Sequence, residues 1–237
     1  MFIYALRFIK KTLSKTLNMK MTAKEYIKAL KVISKDYSTG IPKREIFSLA
    51  KEYQQMPVIE VVKLLQDEIE NHRLGAVSIL DWKARNKRTS SEEKEQIYRA
   101  YIDNHKWIDN WGLVDRAAPY VVGGYLHDKD KKDLYDLANS RNPMERRTAI
   151  VSTYYFIRKN EIEDTYKIAK ILVNDTEHFV QTAVGSWVRE AGKRDEEKLI
   201  AFLDKYAEDM PRVALRLAIE KLDQKTRKHY LGLAKKN

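Results

Sequence analysis

Apolar positions recur every three to four residues along nearly the whole chain, and strict alternation of apolar and polar residues is rare. This spacing puts apolar side chains on one face of a helix, so the pattern predicts an all-α protein. Most glycines and prolines fall between the periodic stretches, where they indicate loops. Helices are predicted near residues 22–35, 43–54, 57–67, 69–86, 91–105, 107–126, 131–138, 143–159, 163–173, 177–192, 195–207, 211–222 and 224–234.

One of these helix starts carries a capping signal. Thr89, Ser90 and Ser91 precede Glu92 and Glu93. A hydroxyl in this position accepts a hydrogen bond from a free amide of the first turn, and acidic residues favour the same end of a helix. The pattern therefore predicts that a helix begins here.

Small residues inside the apolar helices recur at a nearly constant interval. The alanines at 76, 118, 149, 183 and 214 are separated by 42, 31, 34 and 31 residues. That period is typical of helical-hairpin repeats, which stack into a curved array with an extended concave surface. Alanines also let helices of any bundle pack closely, so a globular bundle remains the alternative.

An acidic residue, Asp115, lies within an apolar helical stretch. Trp107 and Trp111 precede it at four-residue intervals, so the three side chains are predicted to share one helical face. A carboxylate buried there without a partner is costly. Either a cation pairs with it and ties two helices together, or it faces a cleft and takes part in chemistry. The tryptophans favour a cleft because indoles stack on flat or cationic ligands, although aromatic residues at this spacing are more often core.

Composition indicates a folded protein and narrows its chemistry. Hydrophobic residues make up 43% and charged residues 33% of 237 positions. The absence of cysteine excludes disulfides and thiolate metal sites, and the five histidines are scattered. We therefore expect no metal and no cofactor. No uncharged apolar stretch is long enough for a membrane span, and no signal peptide is recognisable, so we expect a cytoplasmic protein.

The formal charge of +11 is concentrated at the two ends of the chain. Residues 1–35 carry nine basic residues and one acidic residue, and residues 212–237 carry eight and two, which leaves −3 for the middle. Basic ends on a curved molecule would cradle a polyanion, or they form a well-solvated surface. Residues 1–21 are predicted to be a basic segment that forms a loose helix outside a single domain at 22–237. A start at Met19 or Met21 is the alternative.

Several long segments resemble the DNA alkylation repair family, which comprises HEAT-like-repeat DNA glycosylases that remove alkylated purines. The resemblance spans roughly residues 22 to 235 in order. The matching segments are RLGAVSILDWKARNK (73–87), WIDNWGLVDRAAPYVVGGYL (107–126), ERRTAIVSTYYFIRK (145–159), VQTAVGSWVREAGKRD (180–195) and MPRVALRLAIEKLD (210–223).

The resemblance implies three active-site residues. A Trp-x-x-x-Asp pair on one helix supplies an indole and the essential carboxylate, and here these are Trp111 and Asp115. A WxxRxA motif supplies an arginine, which corresponds to Arg147 and is expected to hold a backbone phosphate near the lesion. The ion pair between adjacent repeats remains the alternative for Asp115 and Arg147.

This chain departs from the family at a further tryptophan. The family motif AxGWxxRE has tryptophan directly after glycine, whereas here Ser186 follows Gly185 and Trp187 comes one residue later. A shift of one residue rotates a side chain by about 100° around a helix. Trp187 is therefore expected either to border the cleft or to lie in the core. Other candidate nucleic-acid contacts, which are alternatively solvated charges, are Arg146, Arg189, Lys193, Arg194, Arg212 and Arg216.

The resemblance implies a right-handed superhelical solenoid of HEAT-like helix pairs with a concave DNA-binding face. It also implies a monofunctional glycosylase that hydrolyses the N-glycosidic bond of N3- or N7-alkylated purines in double-stranded DNA, acting as a monomer without a cofactor. The alternative is a non-catalytic helical-repeat module that binds DNA or a protein partner.

Overall fold

The computed structural model describes residues 20–233, and every regular element within this range is helical. This confirms the predicted all-α class for that part of the chain. None of these helices combines the length and the apolar character that crossing a bilayer requires. The α-helices are α1 (Ala23–Ser34), α2 (Lys43–Glu52), α3 (Val58–Leu65), α4 (Glu70–Arg85), α5 (Ser91–Ile102), α6 (Trp111–Ala118), α7 (Gly124–Leu126), α8 (Lys132–Ala138), α9 (Pro143–Ser152), α10 (Tyr154–Ile157), α11 (Glu163–Ile171), α12 (His178–Gly192), α13 (Glu196–Tyr206), α14 (Arg212–Ala218) and α15 (Gln224–Leu233).

Five helices form a continuous series through the molecule. Helices α4, α6, α9, α12 and α14 each contact the next member of this series. Between them in sequence lie four helices of seven or more residues, α5, α8, α11 and α13, and each packs against at least one member. Successive members begin about 30 to 40 residues apart, within the range of helical-hairpin repeats. Neighbours in sequence are therefore neighbours in space.

The five regularly spaced alanines all lie in this series and all are buried. Helices α12 and α14 approach each other closely, because a Cβ added at Gly185 would collide with the carbonyl oxygen of Ala214. Buried alanines at these positions fit both the repeat array and the globular bundle.

The predicted single helix over residues 107–126 begins too early and is interrupted by a π segment, whereas its predicted end matches Leu126 of α7. Asn110 is extended and its side chain accepts the N–H of Leu113 at 3.2 Å, so α6 begins at Trp111. Trp107 lies in a preceding 3-10 turn, His105–Trp107, and does not share a helical face with Trp111. Downstream, Pro119 has no N–H to continue the α-helical pattern, and a π turn follows over Pro119–Gly123.

Two other predicted elements have different outcomes. The helix predicted at 143–159 breaks after Ser152, where the hydroxyl of Thr153 donates to the carbonyl of Ile150 at 2.7 Å. The capping prediction is confirmed, because Ser90 accepts the N–H of Glu93 at 3.2 Å and α5 begins at Ser91. The predicted basic segment at 1–21 lies almost entirely outside the described residues.

Candidate active site

Asp115 and Arg147 form a bidentate ion pair between α6 and α9. Nε of Arg147 donates to Oδ1 at 2.9 Å and Nη2 donates to Oδ2 at 2.8 Å. Nη1 of the same guanidinium donates to the carbonyl of Phe179 on α12. The arginine side chain is only 9% exposed, whereas the Asp115 side chain is 35% exposed. The carboxylate is therefore fixed in orientation by a buried cation but remains open to solvent.

The local sequence explains why Asp115 points outward. The Asn110 cap fixes the start of α6, and Leu113, Val114 and Ala117 of the first two turns are buried. Asp115 therefore lies on the side of the helix away from these apolar contacts. Arg147 is followed by the buried pair Thr148 and Ala149, which anchors its helix next to α6.

Trp111 lies one turn before Asp115 and is 54% exposed. The guanidinium carbon of Arg147 is 5.8 Å from the centre of its ring, and Nζ of Lys43 is 5.5 Å away. An indole this exposed has free surface for a ligand, and it is not a core residue.

Asp115 and Arg147 form one wall of an open cleft of about 510 Å³. The residues lining the cleft are Asp115, Arg147, Tyr154, Thr182, Ala183, Ser186, Trp187, Arg189 and Glu190. They belong to four helices, α6, α9, the short α10 and α12, which thus meet at one site.

Trp187 contributes to this cleft and to the core at once. Its ring lies against Tyr154, with ring centres 4.8 Å apart and planes inclined by 34°. It also packs on the buried residues Ile157, Ile162 and Ala191. The two alternatives for Trp187 are therefore not exclusive in this structure.

A second carboxylate, Glu190, lies in the same cleft. Its Oε1 accepts Nζ of Lys193 at 2.7 Å and Nη2 of Arg189 at 3.1 Å. Partial burial opposes ionisation of Glu190, but these two cations outweigh it and hold its pKa below the usual range. Arg189 also pairs with Glu220 of the segment after α14. The cleft wall on α12 is therefore a network of paired charges.

The sequence analysis did not single out Tyr154 or Glu190. Glu190 is the last residue of the segment that corresponds to the AxGWxxRE motif, so its place in that motif could have identified it. Tyr154 has no such signal. It reaches the cleft from the start of α10, directly after the helix is interrupted at Thr153.

Arg146 is held in an internal ion pair. Its Nε and Nη2 donate to the two carboxylate oxygens of Asp175 at 2.6 and 3.0 Å, and Nη1 donates to two loop carbonyls. The hydrogen bond to Asp175 raises the pKa of Arg146 above its usual value. Arg73, earlier in the chain, is bound in a similar way. Its guanidinium donates to both carboxylate oxygens of Asp109 and to two loop carbonyls. This repetition indicates that Arg146 joins successive helix pairs.

The remaining predicted DNA contacts differ in whether their side chains are already bound by other groups of the protein. Lys193 is paired with Glu190, and Arg212 donates to the carbonyl of Leu231 at 2.7 Å. Arg194 and Arg216 are exposed, and neither has an ion pair within residues 20–233. Only these last two are immediately available to an external anion.

A buried polar cluster lies behind the Arg147 side of the cleft. Nε2 of His105 and the hydroxyl of Tyr101 both contact the hydroxyl of Thr148, at 2.8 and 3.2 Å. Burial lowers the pKa of His105, although the charge of Glu145 opposes this effect. Within residues 20–233, no group of three or more histidine, aspartate or glutamate side chains is placed to hold a metal ion.

Comparison with known proteins identifies the family. A search of curated proteins finds no match to this chain. A model of the family described as DNA alkylation repair enzyme matches residues 9–222, starting upstream of the boundary at residue 22 that the motifs predict. The match includes α1 to α14 and every residue that lines the cleft. The chain therefore belongs to the DNA alkylation repair enzyme family.

Proposed function

We propose that this protein is a monofunctional DNA glycosylase that hydrolyses the N-glycosidic bond of N3- or N7-alkylated purines in duplex DNA, for base excision repair. The observation that carries the proposal is the Asp115 carboxylate, held by a buried arginine and still open to the cleft.

The chemistry needs little beyond such a carboxylate. Alkylation at N3 or N7 makes the purine cationic, so the bond between C1′ and the base nitrogen breaks with both electrons going to the base. The sugar passes through an oxocarbenium-like state, as in glycoside hydrolysis. Asp115 stabilises the developing positive charge and orients a water molecule. The water oxygen bonds to C1′, and its proton passes to the carboxylate or to solvent. The base leaves neutral, so no general acid is required.

The aromatic residues bind the cationic nucleotide in this proposal. Trp111 presents an exposed indole one turn from the carboxylate. Trp187 and Tyr154 line the same cleft as a tilted ring pair. Aromatic faces attract cations, and this attraction is strongest where water is displaced.

Arg147 acts chiefly as a positioning residue for Asp115. Three of its five N–H donors are already engaged within the protein, two by Asp115 and one by Phe179. The backbone-phosphate contact that the resemblance implies would use the remaining donors. The bidentate geometry limits rotation of the carboxylate, so the sugar meets a preorganised charge.

The architecture in this proposal is a right-handed superhelix of HEAT-like helix pairs. The series α4, α6, α9, α12 and α14 forms its concave inner surface, and a monomer accommodates the duplex there. The chain-order contacts of the series and its spacing support this arrangement. Exposed Arg194 and Arg216 would contact phosphates, and the protein would act in the cytoplasm.

One observation favours a second candidate, a non-catalytic module that binds DNA or a protein. Both oxygens of Asp115 already accept hydrogen bonds from Arg147, and Ser186 replaces the family tryptophan. A carboxylate in such a pair also ties two helices together.

Base release from a duplex that contains 7-methylguanine separates the two candidates. A glycosylase frees the base, and Asp115→Asn lowers the rate at least about 100-fold. A binding module gives salt-sensitive binding to the duplex and no free base.

A further inference from the structure

Two arginines converge on Tyr120, outside the cleft that holds Asp115. The guanidinium carbon of Arg85, at the end of α4, lies 3.7 Å from the centre of the Tyr120 ring. Nη1 of Arg158, directly after α10, donates to the Tyr120 hydroxyl at 2.7 Å. One tyrosine thus holds a guanidinium on its face and another at its edge.

Positive charge is in excess around this tyrosine. Arg85 donates to Oδ1 of the buried Asp81 at 2.8 Å, and the same carboxylate pairs with Arg116. Arg158 is exposed and has no carboxylate partner within residues 20–233. Two guanidiniums therefore share one carboxylate, and the third is bound to the neutral Tyr120 hydroxyl. Like charges in such proximity repel one another, and an anion bound here relieves that repulsion.

The donors that remain free match the needs of a phosphate. Nε and Nη2 of Arg158 have no hydrogen-bond partner in the described part of the chain. The side chain of Arg85 is 38% exposed, and the exposed Lys94 lines a shallow depression next to Tyr120. A guanidinium presents its N–H groups as a fork that fits two phosphate oxygens, and stacking on an aromatic ring orients that fork in advance.

The position of Tyr120 separates this cluster from the cleft. Tyr120 follows Asp115 by five residues on the continuous turn of α6 and the π turn. Five residues rise by about 7 to 8 Å and rotate by about 140° around the axis, so the two side chains lie on different sides of the helix. Tyr120 contacts Arg85 and Arg158, whereas Asp115 contacts Arg147.

We propose that Arg85, Tyr120 and Arg158 form a second anion site, separate from the Asp115 cleft, which binds a backbone phosphodiester of the duplex. This inference rests on the proposed function for its ligand. The site is built in advance, because Asp81 and the Tyr120 ring fix Arg85 while the phenol hydroxyl anchors Arg158. It contributes to affinity for any duplex, damaged or not.

The test measures binding of the full-length protein to an unmodified duplex by fluorescence anisotropy, at a series of salt concentrations. Arg158→Gln is expected to weaken binding about three- to tenfold at low salt and to reduce the slope of log K against log salt by about 0.9, the value for one lost phosphate contact. Arg158→Lys should restore part of the slope, since it keeps the charge and loses the fork. Tyr120→Phe, which removes the anchoring hydroxyl, should have a smaller effect of the same sign.

Arg99→Gln is the matched control. It also removes an exposed guanidinium near a tyrosine ring, at 5.6 Å from Tyr98, but on α5 outside the inner series. Its binding and slope should equal those of the wild type. The proposal of a second anion site is wrong if Arg158→Gln leaves the slope of log K against log salt unchanged. It is also wrong if Arg99→Gln reduces binding and slope as much as Arg158→Gln does. Base release by the wild type is scored separately, so the site can fail while the glycosylase proposal stands.

Discussion

Arg147 donates to both oxygens of Asp115 across the interface between α6 and α9, at 2.9 and 2.8 Å. The buried member of this pair is the cation and the accessible member is the carboxylate. The Arg73–Asp109 pair shows the same asymmetry, with side chains 9% and 52% exposed, so exposure of the acid does not by itself mark a site. What distinguishes Asp115 is that it lines the cleft together with Trp187 and Tyr154.

Substitution of Arg147 should therefore lower the rate of the chemical step more than DNA affinity. Arg147→Lys keeps the charge but loses the bidentate fork, and a loss on the order of 10- to 100-fold in single-turnover rate is expected from a misplaced carboxylate. Arg147→Met should be slower still. Rates measured at several DNA concentrations separate the two effects. A variant that loses only affinity would show that Arg147 contacts DNA and does not orient Asp115.

Trp111 should matter to activity and little to stability. More than half of this residue is exposed, so Trp111→Ala should leave the free energy of unfolding within about 0.5 kcal/mol of the wild type. Loss of one cation–π contact should reduce base release about 5- to 30-fold. Thermal unfolding and single-turnover assays on the same preparation test both parts. A large drop in melting temperature with normal activity would assign Trp111 to the core.

Gly185 should be intolerant of even a methyl group. A Cβ there collides with the carbonyl oxygen of Ala214, so α12 and α14 must move apart. Gly185→Ala is expected to destabilise the protein by about 1–3 kcal/mol. Gly232→Ala on α15 is the control, because within residues 20–233 nothing outside its own helix backbone and chain neighbours lies within 4 Å of its added Cβ. That change should be neutral or stabilise by up to about 1 kcal/mol. Urea unfolding of both variants decides the comparison, and equal stabilities would argue against the close approach.

The buried His105 should make stability fall in mild acid. Burial lowers its pKa in the folded state, so below about pH 6.5 the unfolded chain binds more protons than the folded one. Stability is then lost as pH falls through the unfolded value, by up to about 1 kcal/mol between pH 7 and pH 5.5. His105→Gln should remove this contribution. Urea midpoints at the two pH values provide the check, and an identical pH dependence in the variant would contradict it.

The sequence predicted most of the fold because its signals are local. Ser90 capped a helix as its position predicted, and the regularly spaced alanines are buried. The break at Asn110 was missed because the spacing of Trp107, Trp111 and Asp115 imitates one continuous helix. In the structure a single side-chain cap outweighs that periodicity.

The cleft was only partly predictable because four helices assemble it. Asp115 and Arg147 were identified by their motifs and Glu190 belongs to a motif too, but Tyr154 enters the site only through tertiary packing. Nor does sequence distinguish two adjacent arginines. Arg146 and Arg147 point to different partners, Asp175 and Asp115, because consecutive residues lie about 100° apart on a helix.

The most direct test of the central claim is mass-spectrometric detection of bases freed from methylated duplex DNA. Wild type, Asp115→Asn and the exposed control Asp128→Asn are compared in single turnover. The account predicts release of 3-methyladenine or 7-methylguanine by the wild type and the control, and a rate at least about 100-fold lower for Asp115→Asn. Equal release by all three proteins, or none by any of them, would contradict it.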